Sequence, residues 1–127
     1  MASKQGGTVE GQSHTDLIVW QKAVALATDV HKATKNFPKG ELYGLVSQLR
    51  RATVSISSNI AEGQGRLTTG EFKHALGIAR GSLFEVQTQI HISRNLRHFD
   101  QEIAQALLDQ TDEVGRLLNG LIRSLQN

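Results

Sequence analysis

Lys73, Arg80, Gln87 and Arg94 recur every seven residues, the spacing that sets side chains along one flank of a helix. Three cations in such a row can follow a phosphate backbone, and Arg50, Arg51 and Arg66 would extend the track. His91 and His98 fall on the same side of the helix. No aromatic platform for stacking bases accompanies the row, so the contact it predicts is directed to the backbone and only weakly to sequence. The competing reading is an ordinary solvated helix face, or one paired with acids elsewhere in the chain.

Other chemistry finds less support. The stretch SNIAEGQGR, Ser58 to Arg66, has glycines but follows a helical pattern, whereas a phosphate loop needs Gly-Lys and then Ser or Thr opening a helix after a strand. A dinucleotide fingerprint fails too, because GQG lacks the third glycine and any βαβ context. The stretch reads as a turn in which Gly63 or Gly65 supplies a left-handed residue, and Asn59, Glu62 and Arg66 fix the turn or touch another subunit. Glu71 to His74 spells the Glu-x-x-His of carboxylate-bridged iron bundles, but no second copy exists and the fourth helical pattern offers no inward carboxylate. The five histidines lack zinc spacing, and no serine sits in a G-x-S-x-G elbow. The expectation is therefore no catalytic residue, no metal and no cofactor.

Four helical patterns must position the basic row. The first runs from Asp16, as N-cap, to near Asn36, before Pro38. Its apolar arc, built from Val19, Ala23, Leu26, Val30 and Ala33 beside Leu17, Trp20, Val24 and Ala27, spans roughly 200° on a wheel of 100° per residue. That is wider than one core needs, so something else covers the side around Trp20. The second, about Glu41 to Ala61, turns Leu42, Leu45, Leu49, Ala52, Ile56 and Ile60 inward and a serine-rich stripe (Ser47, Arg51, Ser55, Ser58, Glu62) outward. The third opens on Thr68 and Glu71 with the spacing of a capping box and runs to about His98, with Phe72, Leu76, Ala79, Leu83, Val86 and Ile90 inward. The fourth begins near Asp100 and carries Ile103, Leu107, Val114, Leu118, Leu121 and Leu125. Short connections make the default arrangement all-α, an antiparallel up-and-down four-helix bundle over residues 15–127 behind a flexible polar leader of residues 1–14.

Composition agrees with that class. The 127-residue chain has one proline and no cysteine, which fits one helical domain without disulfides or thiolate metal sites. No signal peptide or membrane span is apparent, so a cytoplasmic location is expected. Net charge is only +2, yet Arg50 to Arg97 holds seven Lys or Arg against three acids, and Phe99 to Asn127 five acids against two arginines. Such asymmetry suits an anionic partner, or surfaces of opposite sign that meet in an oligomer. Gly77 and Gly81, with Gly115 and Gly120 in the fourth helix, suggest close helix approach. Ile78, Ile92 and Leu96 lie apart from the core stripe of the third helix and, with Trp20, form a second apolar surface that predicts a homo-oligomer.

Three segments carry a resemblance: DLIVWQKA (Asp16 to Ala23), FPKGELYGLVSQLRRATVSISSNIAEGQGR (Phe37 to Arg66) and ALGIARGSLFEVQTQI (Ala75 to Ile90). With them the chain resembles the bacterial 23S rRNA intervening-sequence proteins from Asp16 to about Phe99. The fourth helix matches only in being leucine-rich and amphipathic. The resemblance implies an antiparallel bundle that assembles into a ring, a pentamer, with no known catalytic activity. The architecture is also similar to the accessory protein of diversity-generating retroelements, a pentamer that binds nucleic acid and a reverse transcriptase. Two functions follow as expectations: a non-enzymatic oligomer that binds RNA or DNA through its basic surface, or a protein-interaction module such as an accessory subunit of a reverse transcriptase.

Overall fold

The computed structural model describes residues 4–5, 8–9 and 13–125, and its core is carried by four helices: α1 (Ile18–Ala33), α2 (Ser47–Gln64), α3 (Thr69–Asn95) and α4 (Gln101–Ser124). Each helix packs on its neighbours in sequence, and α1 also packs on α4, which closes an antiparallel four-helix bundle. Most of the expected leader lies outside the described residues. Two-residue strands, β1 (Lys4–Gln5) and β2 (Thr8–Val9), pair antiparallel there, and His14–Asp16 forms a 3-10 turn capped by Ser13. Asp16 thus ends that turn instead of capping α1, whose N-cap is Leu17 with no side-chain hydrogen bond.

The inward rows follow the helical period where the helices are regular. Val19, Ala23, Leu26 and Val30 of α1 are buried together with Leu49, Ala52, Ile56 and Ile60 of α2 and the whole predicted row of α3. Two positions depart from expectation. Leu42 is exposed, because Leu42–Val46 winds as one π-type turn with Gly44 outside helical dihedrals, and Val46 takes the inward place. Ile103 is exposed as well, and Ala104 faces the core in its stead.

The ends of α3 show what fixes the bundle's connections. Thr68 Oγ1 accepts the Glu71 N–H at 3.1 Å, as the T-x-x-E spacing predicts. At the other end the helix stops at Asn95, three residues before the expected His98. Here the His98 N–H donates to Ser93 O at 2.8 Å and the Arg97 N–H to Arg94 O at 2.9 Å, the paired bonds of a Schellman cap. Arg97 occupies the left-handed position of that cap, at φ 64°. Glycine holds this conformation without a Cβ clash, so Arg97→Gly is expected to raise stability by about 0.5–1 kcal/mol. A urea melt followed by circular dichroism reads this directly, and an unchanged midpoint would contradict it.

The glycines of SNIAEGQGR work differently from expectation. The α2 helix runs through Gly63, and Gly65 caps it at φ −83°, so neither is left-handed. A Cβ on Gly63 would stand 2.8 Å from Phe72 Cδ1 and 2.9 Å from the Ala75 Cβ. Close approach of α2 to α3 is therefore what excludes a side chain. Gly77 and Gly81 show the reverse, since among the described residues nothing beyond the adjoining residues and the helix's own backbone lies within 4 Å of a Cβ built on either.

Candidate nucleic-acid interface

The basic row is a product of one long helix. Over the 27 residues of α3, seven-residue steps place Lys73, Arg80, Gln87 and Arg94 about 10 Å apart along the axis. The row follows the side of α3 nearest α4: Gln87 Nε2 donates to Thr111 Oγ1 at 3.0 Å and reaches Asp112 Oδ1 at 3.5 Å. Arg80 is exposed, its guanidinium 5.6 Å from the centre of the Phe84 ring. Arg94 Nη2 donates to His91 Nδ1 at 2.9 Å, which leaves the imidazole proton on Nε2. Beyond Arg94 the row opens into a recess of about 560 Å³, lined by Arg94, Asn95, Arg97, Phe99, Asp100 and Gln101.

Acids do not neutralise this flank. Among the described residues, Lys22–Glu113, at 3.6 Å, is the ion pair of a lysine or arginine within 4.0 Å of a carboxylate, and His98 Nε2 and Glu41 Oε2 share a hydrogen bond at 3.0 Å. Lys73, Arg80 and Arg94 thus keep their charge facing outward, despite the acids carried by α4.

The other three predicted cations go elsewhere. Arg50 donates from Nε to Thr34 Oγ1 at 3.0 Å and from Nη2 to His31 O at 3.2 Å, satisfying carbonyl and hydroxyl groups at the C-terminal end of α1. Arg51 lines a cleft of about 420 Å³ between α2 and α3 with Gln48, Ser55, Ser82 and Glu85. Arg66 lines a second cleft, of about 500 Å³, with Asn59, Glu62, Gly70, Glu71, His74 and Ile78. Both clefts lie on the α2 side of α3, opposite the basic row. The six cations consequently do not share one surface.

The serine stripe of α2 finds its explanation in these clefts. Ser55 Oγ and Ser82 Oγ are 2.8 Å apart, and Asn59 Nδ2 donates to Ser55 O at 2.9 Å and to Ser55 Oγ at 3.1 Å. Small hydroxyls let α2 and α3 draw close while satisfying one another. Asn59, Glu62 and Arg66 line one cleft, together with Ile78, which the sequence reading places on a separate apolar surface. Trp20 does not join them. His14 covers its ring edge-on at 5.2 Å, and Gln21 Nε2 holds the preceding turn through Thr15 O at 2.8 Å. Ile92 and Leu96 are exposed farther along α3. The sequence reading missed Phe84, Gln48, Ser82 and the Glu41–His98 pair; only a knowledge of which helices adjoin would have exposed them.

Among the described residues, no three His, Asp or Glu side chains converge as a metal-binding group. Nor is any described helix long and apolar enough to cross a membrane.

A family model, described as 23S rRNA-intervening sequence protein, matches residues 15–120. The chain belongs to that family. A solved structure supplies a fold comparison: a protein of unknown function from the S23 ribosomal protein family of Bacteroides thetaiotaomicron. The two share 20% identity and superpose with a TM-score of 0.76, over 84% of this chain and 99% of that one. That likeness shows the bundle fold. No curated protein matches the chain.

Proposed function

We propose that this chain is a non-enzymatic, homo-oligomeric scaffold of the cytoplasm that holds RNA or DNA by its phosphate backbone. The contact runs along the flank of α3 that carries Lys73, Arg80 and Arg94. One observation carries the reading: these three cations are aligned on a single rigid helix and have no carboxylate within 4.0 Å among the described residues. Such a row offers charge at fixed spacing without base-reading groups. A second reading, an accessory module for another protein such as a nucleic-acid polymerase, draws on the exposed Ile78 and Ile92 of the same helix and Leu96 at its C-cap.

Fluorescence anisotropy with labelled duplex DNA and a structured RNA separates the two. Replacement of Lys73, Arg80 and Arg94 by Glu together is expected to weaken binding at least about tenfold at low salt, and to flatten the log–log salt dependence by about 3 per subunit. Affinity that survives the triple replacement would place the nucleic acid elsewhere. Absence of nucleic-acid binding by the unmodified protein would favour the accessory module.

A further inference from the structure

Among the described residues, the outer face of α3 is left exposed. Ile78, Phe84 and Ile92 are 45%, 52% and 42% exposed, and beside them Gly77 and Gly81 face open space: among the described residues, nothing beyond the adjoining residues and the helix's own backbone comes within 4 Å of a Cβ built on either. Glycine weakens a helix interior, and no described neighbour requires its absence of a side chain at these two positions. A helix backbone brought up to this face from outside would use the room.

Charge identifies the occupant. When the outward face is written as a heptad seam, Gly77 and Phe84 take the d positions, His74, Gly81 and Thr88 the a positions, Lys73, Arg80 and Gln87 the g positions, and Ile78, Glu85 and Ile92 the e positions. In a parallel helix pair, a g residue meets the e residue five places later on its neighbour. Arg80 then faces Glu85 of the other copy, while the Lys73 stem lies over Ile78. An antiparallel pair would instead set g against g, so that Lys73, Arg80 and Arg94 repel their counterparts. Neither Arg80 nor Glu85 has an ion-pair partner in its own chain among the described residues.

We propose that the outer face of α3 is a seam for a second copy of this chain, the two α3 helices lying parallel and in register so that Arg80 of one copy pairs with Glu85 of the other. This rests on the homo-oligomeric part of the proposed function. A parallel seam is compatible with cyclic symmetry, because each copy offers both a g and an e edge. With Arg80 engaged by carboxylate, phosphate contact in the assembly falls to Lys73 and Arg94, and the change in salt slope expected of the triple replacement falls from about 3 to about 2 per subunit.

The chain has no cysteine, which makes single-thiol cross-linking decisive. His74→Cys and Thr88→Cys each place one thiol at an a position, two heptads apart. Under mild oxidation both variants are expected to form covalent dimers, since parallel in-register copies bring like residues together. An antiparallel seam could cross-link at one of the two at most. Light scattering of the unmodified protein is measured alongside. A multimer in which one or neither variant cross-links overturns the parallel seam and leaves the oligomeric reading standing; a monomer overturns both. As an independent arm, Arg80→Glu is expected to raise the concentration of half-dissociation about tenfold, and the addition of Glu85→Arg to restore it to within about threefold. Circular dichroism checks that each exposed substitution leaves the helices intact. A double variant as dissociated as the single one would also overturn the seam.

Discussion

Phe99→Ala is expected to destabilise the protein by about 3–5 kcal/mol, the range for removing a fully buried aromatic ring. Phe99 is buried in the short turn between α3 and α4. Its ring meets that of Phe37 edge-on at 4.8 Å, and Phe37 in turn lies 5.2 Å from the His98 ring. Phe37 belongs to the connection between α1 and α2, so a single aromatic cluster joins both connections at this end of the bundle. Truncation leaves a cavity that the surrounding turn, held by the His98 and Phe99 N–H bonds to Ser93 O, cannot readily fill. Thermal melts should fall by on the order of 10–20 °C for a domain of this size. Phe99→Leu, which keeps most of the volume, is expected to lose markedly less. A loss below about 1 kcal/mol for the alanine variant would mean that this corner frays before the bundle unfolds.

Gly63→Val should be the next most damaging change, at about 2–3 kcal/mol, although it replaces a residue that is itself unfavourable in helices. The clash is with Phe72 Cδ1 at 2.8 Å and the Ala75 Cβ at 2.9 Å. Phe72 and Ala75 are both buried at the start of α3, so the ring has no free space to swing into. Relief must come from moving α2 away from α3, which would also stretch the Ser55–Ser82 hydrogen bond. Chemical denaturation measures the loss. Adding Phe72→Leu should recover part of it, because the smaller side chain withdraws the atom in closest contact; a strictly additive double variant would contradict this account.

The apolar rows were legible because each is a property of one helix at one period. In α3 every predicted inward residue from Phe72 to Ile90 is buried, and the basic row was legible for the same reason. Where the period slips, the reading slips with it. The π-type turn at Leu42–Val46 shifts the register by part of a turn, and its anchor is the Glu41–His98 contact at 3.0 Å, 57 residues away in the chain. No local pattern announces such a partner. Arg50 shows the same limit: its charge pointed to an anion, but its place beside Thr34 and His31 O, on the preceding helix, gives it a capping role. Gly63 was read as a turn residue from its neighbours in sequence, whereas its neighbours in space, Phe72 and Ala75, set the requirement. The polar clefts escaped notice because each is lined by residues of both α2 and α3.

The position of Trp20 has a practical result for how unfolding is seen. It is the only tryptophan, and its indole sits under His14, at the margin of the core. Its emission therefore reports the docking of the His14–Asp16 turn onto α1, while ellipticity at 222 nm, the usual helical band, reports the four helices together. The two signals will superpose during a melt only when that first turn and the bundle come apart in a single cooperative step.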